Sequence, residues 1–168
     1  VGAADRFAAV ADIVRDQHER NAESRNAGTV VVVSAMSGVT NRLLAGAWAA
    51  ADGRDGDYRR IKAEVLDRHL TVIETLFTHS AERVELGGWV EDRLHELERL
   101  YRSIAVLGEL TARGRDHVAA FGEQLSVHIL AAALRQRGLR AQAIAATDLI
   151  VTNDHFGAAV PLMAPTRA

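Results

Sequence analysis

Apolar positions recur along this chain at two spacings, one helical and one extended. Phe7, Val10, Ile13 and Val14 share a stripe of a helix predicted from Ala3 to about Glu23, with charges on the opposite side. Asn26-Ala27-Gly28 closes it. Thr29 to Ser34 then carries four consecutive valines, a strand signal, because β-branched side chains suit a pleated surface covered on both faces. A loop of small residues, Ala35-Met36-Ser37-Gly38, leads into a second helical pattern at Val39, Leu43, Leu44, Ala47 and Trp48, running to about Ala51. Asp52 to Asp57 reads as a turn, with Asp57 placed to cap the helix that follows.

From Tyr58 to about Thr78 the apolar set Ile61, Val65, Val72, Ile73, Leu76 and Phe77 keeps helical spacing. A second long pattern, Val90, Leu94, Leu97, Tyr101 and Ile104, spans Trp89 to Leu107. The two predict an antiparallel helical pair joined through Gly87-Gly88, with the intervening charges on solvated faces. Gly108 breaks the pattern, and Thr111 is placed to cap a helix with the stripe Val118, Phe121, Leu125, Ile129 and Ala133, ended by Gly138. Arg140 to Ala146 alternates weakly, as a second strand would; Ile150 to Thr152 is a short extended piece, and Pro161 suits the first turn of a further helix. Strand, helices, strand argues an α/β domain with a sizeable helical insertion at about 55–108, with no internal repeat and no low-complexity linker.

Composition narrows the function classes. The chain has 168 residues, 48% hydrophobic and 25% charged, with a net charge of −2, so no basic footprint points to nucleic acid. No apolar run reaches the length of a membrane span. The absence of cysteine removes any disulfide framework and makes a cytoplasmic setting the expectation. Lys62 is the single lysine, and His69, His79 and His95 stand too far apart for a metal site, reading instead as surface or helix-end residues. The first residue is Val1, which suggests a processed or partial chain.

Three polar clusters interrupt this patterning. At the first, the strand-to-helix joint after Val33, free N–H groups and a helix dipole converge on one spot suited to a carboxylate or phosphate, with Ser34, Ser37 and Thr40 adding hydroxyls. The second is Gly122-Glu123-Gln124, an acid beside the apolar stripe of a helix interrupted by glycine. The third is Thr152-Asn153-Asp154, followed by Phe156-Gly157. Each also has a plain structural reading: Ser37 as a helix cap, Glu123 on a solvated helix face, Asn153 in an Asx turn. Nothing resembles a Ser/His/Asp hydrolase arrangement, a zinc spacing or a dinucleotide GxGxxG loop.

Together the three clusters resemble the aspartate kinases, in their order and over essentially the whole chain. Val31-Val-Val-Ser34-Ala-Met-Ser37-Gly38-Val-Thr40-Asn41 is similar to that family's first substrate motif. Gly108-Glu-Leu-Thr111-Ala-Arg-Gly-Arg-Asp116 with Phe121-Gly122-Glu123-Gln-Leu-Ser126 looks like the second, and Thr152-Asn153-Asp154-His-Phe-Gly157 like the third. The resemblance implies a three-layer α/β/α sandwich of the amino-acid kinase type, here its N-terminal substrate half with a long helical insertion. It implies transfer of the γ-phosphate of ATP, with Mg2+, to the side-chain carboxylate of L-aspartate, the first step toward lysine, threonine and methionine. By the same resemblance Thr40 and Glu123 contact the aspartate, Ser34 lines its pocket, and Asp154 sits in the substrate loop. Ser37, Gly38, Asn41, Arg42, Thr152 and Asn153 are accessory positions. Homo-oligomers are a further expectation of the family.

Two departures qualify what the resemblance implies. The family's lysine-glycine phosphate loop has no counterpart before Val1, and Lys62 on the helical pair cannot replace it, so no catalytic residue is assigned and the chain by itself is expected to be inactive. Val151 stands where some members carry an arginine for the α-carboxylate, leaving Arg42 or an unseen residue as the candidate partner. The competing readings are a non-catalytic helical interaction module derived from such a kinase, and a related kinase acting on glutamate.

Overall fold

The structure is a computed structural model that describes residues 2–21, 28–78 and 81–166. Five long helices form it: α1 (Ala3–Asn21), α2 (Val39–Ala51), α3 (Asp55–Leu76), α4 (Ala81–Leu107) and α5 (Ala112–Gln136). A 3-10 turn (Ala146–Asp148) and the one-turn α6 (Met163–Thr166) follow. One core holds the helices together, with Leu43, Leu94, Leu97, Leu125 and Ile129 at no exposure. α2 packs on α3, α4 and α5, and α1 crosses α5 and α3.

The expected α/β/α sandwich is not observed. Among the described residues the only β pairing is a single antiparallel bridge between Thr152 and Pro161. Residues 28–34 and 139–145 run extended, but no neighbouring strand accepts their backbone groups. The physical reason lies in where each element finds its partners. A helix closes its own N–H to C=O bonds, whereas an extended segment needs a second backbone beside it. Nor are the four valines covered on both faces. Val31 and Val33 pack against the core, while Val30 and Val32 are 90% and 94% exposed. The strand expected at Arg140–Ala146 is likewise unpaired, and its last residue begins the 3-10 turn.

The helical pair forms, with its joint moved. Gly87 and Gly88 lie inside α4, and the chain reverses between Leu76 and Ala81 instead. Gly87 lies under Leu70 of α3, and Lys62 Nζ stands 2.7 Å from Glu98 Oε2. Those two contacts, running in opposite directions along the helices, fix the pair as antiparallel. The Lys62 and Arg102 hydrogen bonds hold the Glu98 carboxyl down at about 2.

His69 is fully buried rather than superficial, its Nδ1 2.6 Å from the Val65 carbonyl, and burial lowers its pKa. His95 is exposed; His79 lies outside the described residues, as do Glu23, Asn26 and Ala27. Asp57 is not the cap of α3, since Arg54 occupies that position and Asp57 pairs with Arg54 and Arg60 inside the first turn. Thr111 does cap α5, accepting from Gly114 N–H at 3.0 Å. Pro161 sits in the bridge, two residues ahead of α6.

A close approach locks α2 to α4. The Tyr101 hydroxyl donates to the Leu43 carbonyl at 2.7 Å, and a Cβ on Gly46 would stand 2.6 Å from the hydroxyl oxygen. Burial pushes the phenol far above its ordinary pKa, so it remains a donor.

Candidate functional site

The site is built where the loop 34–38 lies across the middle of α5. Glu123 Oε1 accepts from Ser34 Oγ at 3.4 Å and from Ala35 N–H at 3.3 Å, joining positions 89 and 88 apart in sequence. Both bonds are long, and both fall on one oxygen. An ionised carboxylate has about four acceptor sites, so Glu123 keeps capacity for a further donor. Its side chain is half-buried, which places it on an interior seam and not on the solvated face that helix patterning allows.

Gly122 makes this seam possible. A Cβ there would stand 2.7 Å from the Ala35 Cβ and 3.6 Å from Thr40 Oγ1, so only glycine lets loop and helix meet this closely. The same contact brings Thr40 beside Glu123's neighbour. Ser34, Thr40 and Glu123 therefore come together.

The start of α2 is unusual. Gly38 occupies the N-cap position at φ 78 with no side-chain cap, so Ser37 does not cap the helix. Val39 N–H reaches Met36 O and Arg42 N–H reaches Gly38 O. The Thr40 and Asn41 amides between them have no partner among the described residues, leaving two donors at the positive end of the helix. Arg42 is not free: its guanidinium pairs with Glu64 of α3.

The third cluster docks on the same helix, nearer its start. Gly157 N–H donates to Asp116 Oδ2, and the Arg113 guanidinium lies 5.6 Å over the Phe156 ring. Asp116 and Glu123 are seven residues apart, two turns or about 10 Å along one face. Asn153 closes the loop, its Oδ1 accepting from Val160 N–H at 3.0 Å, while Thr152 bridges Pro161. Asp154 is exposed, and among the described residues its carboxylate has no partner, so it is not in contact with the Ser34–Glu123 seam.

A family model described as the amino acid kinase family matches residues 1–161. The chain belongs to the amino acid kinase family. Among similar proteins, Aspartokinase 1, chloroplastic, of Arabidopsis thaliana is 33% identical over 93% of this chain and 26% of its own length. Lysine-sensitive aspartokinase 3 of Escherichia coli is 31% identical over 79% of the chain and 27% of its own length. An aspartokinase of Candida albicans is 29% identical over 75% and 24%. The resemblance to aspartate kinases thus holds, and the chain spans about a quarter of the length of these relatives.

As a member of the amino acid kinase family the chain implies a nucleotide, and the residues described do not fit one. Lys62 is committed to Glu98 on the helical pair. Among the described residues no three acids or histidines gather where they could hold a metal ion. No described helix is long and apolar enough to cross a membrane. What sequence reasoning missed is the role of Gly122 as a spacer. The signal available was a glycine inside a long helix directly before an acid, where helix propensity alone disfavours it.

Proposed function

We propose that this chain carries the amino-acid grip of an aspartate kinase, the part that holds L-aspartate while its side-chain carboxylate accepts a phosphoryl group. One observation supports the reading above others: the Glu123 carboxylate meets Ser34 Oγ and Ala35 N–H where Gly122 admits Thr40. The substrate brings its own nucleophile, so the protein's part is positioning and charge stabilisation. Glu123 pairs with the α-ammonium, and the hydroxyls of Ser34 and Thr40 with the unpartnered amides at the start of α2 hold carboxylate oxygens. Asp154 and its loop close over the ligand from the Asp116 end of α5. The phosphoryl donor of the proposed reaction would be MgATP, for which the described residues offer no site, and the proposed setting is the cytoplasm.

Calorimetric titration of the chain with L-aspartate and L-glutamate tests this. Aspartate is expected to bind, and Glu123→Gln to weaken it roughly tenfold or more, as befits a lost charge-assisted bond, with the unfolding midpoint nearly unchanged. Tighter binding of glutamate, or none of aspartate, would defeat the reading. The alternative, a non-catalytic module, draws on the engagement of Lys62 by Glu98. Phosphoryl transfer to aspartate, followed by a coupled assay on the chain alone and joined to the lysine-glycine segment that the resemblance implies, separates the two: turnover abolished by Glu123→Gln excludes the module, and none from either form supports it.

A further inference from the structure

We infer that Arg6 and Arg68 form an oxyanion subsite beside the loop 34–37, holding the carboxylate of the small molecule whose ammonium Glu123 takes. For the identity of that molecule the inference rests on the proposed function; the subsite itself does not. A hollow of about 190 Å³ opens between the start of α1, the loop and the middle of α3, lined by Arg6, Phe7, Ser34, Ser37, Arg68 and Leu130 among others. One water fills about 30 Å³ of liquid, so the space takes a molecule of several heavy atoms.

Its charge is one-sided. Both titratable side chains on its wall are arginines, and no carboxylate lines it. Several other arginines are matched, Arg42 with Glu64, Arg60 with Asp57 and Glu64, Arg137 with Asp12, while Arg99, Arg113, Arg115 and Arg140 have no ion pair among the described residues but do not line this hollow. Arg6 and Arg68 have no ion pair among the described residues, although Asp5 and Asp67 precede them in sequence. Two like charges facing one hollow repel, and an anion between them turns that repulsion into attraction. Guanidinium groups present planar forks that suit carboxylate and phosphate oxygens. The Ser37 hydroxyl, also without a partner among the described residues, adds a donor on the same wall.

The two helices that carry these arginines are held by separate contacts. Arg137 clamps α1 through Asp12 at 2.7 Å and the Ala8 carbonyl at 3.0 Å, and α3 is tied to α4 by Lys62 and Glu98. Ser34 links this hollow to the acid, since it lines the hollow and donates to Glu123. Cationic and anionic recognition thus lie on two sides of one residue, the arrangement a zwitterion requires. It also supplies the carboxylate partner that Arg42, engaged by Glu64, does not provide.

The test is titration of the full chain with L-aspartate and, separately, with inorganic phosphate, using Arg6→Gln, Arg68→Gln, the double variant and Arg99→Gln as an exposed control on α4. Far-UV circular dichroism checks that each variant folds. The single variants are expected to weaken the bound anion about threefold and the double variant about tenfold, with the control unchanged, as for partly exposed charge pairs. If wild type binds phosphate but not aspartate, and the double variant loses it, the subsite stands and the amino-acid reading falls. Aspartate held equally by wild type and double variant overturns the subsite and leaves the reading intact. Binding of neither anion overturns both.

Discussion

The α3–α4 pair and the extended segments 28–34 and 139–145 are both rich in apolar residues, yet only the first completes its own structure. In the pair, each helix closes its backbone bonds internally and buries one stripe on its neighbour: Val65, Val72 and Ile73 against Leu86, Val90 and Leu94. In the extended segments the side chains obey the same alternation, Val31 and Val33 inward, but among the described residues no strand pairs with the backbone. Apolar pattern therefore specifies which face is buried in both regions. It specifies a finished element only where hydrogen bonding is local.

Substitutions break that comparison in order of size. Leu94→Ala, at the centre of the pair, should cost about 2–5 kcal/mol in chemical denaturation, the loss of a buried side chain plus the cavity it leaves. Next is the ion pair. Glu98→Gln should cost about 1–3 kcal/mol at neutral pH, where a charged hydrogen-bonded group loses its partners. The folded carboxyl titrates at about 2 against an ordinary 4.5, so its contribution is complete above pH 4.5 and fades as pH falls toward 2. Denaturation curves of wild type and variant should converge over that range. His69 adds a decline of its own: with its pKa lowered by burial, stability is whole above its ordinary 6.5 and falls below it.

Gly122→Ala tests the seam between the two kinds of structure. The helix gains up to about 1 kcal/mol of propensity, but the new methyl meets Ala35 and displaces the loop at a cost of about 1–3. Net stability should drop by about 1 kcal/mol, and aspartate affinity, read by calorimetry, by more than that drop accounts for. Smallest in folding terms is Val32→Lys, on the outward face of the extended run. Its stability effect should lie within about 0.5 kcal/mol, while light scattering at high concentration should show less self-association.

Legibility from sequence follows the same division. The helices were readable because periodicity records which residues face inward, and the stripes of α3 to α5 follow it; in α1 Val10 and Ile13 are exposed while Ala4 and Ala11 are buried, and Trp48 of α2 is exposed. Gly87-Gly88 misled as a joint because glycine usually punctuates, whereas here both lie inside α4 and Leu70 of the facing helix covers Gly87. His69 carried its own correction: it falls four residues after Val65 and three before Val72, on the buried stripe. The sandwich was read from valines whose composition fits a sheet, but composition does not supply a neighbouring strand. At the site, the polar clusters could be picked out singly, and their family likeness grouped them. That Ser34 and Ala35 reach Glu123, while Asp154 remains apart, depends on how the loop crosses α5, which no local pattern encodes.

Gly122 leaves a hydrogen atom as the wall between loop and helix, and a wall of that kind cannot be rebuilt larger. On the proposed reading, any drift toward a bulkier or smaller ligand must be accommodated on the opposite bank, through Ser34, Ser37 and the residues of α1 and α3 that overlook them. A close backbone approach thus confines adaptability to the rim.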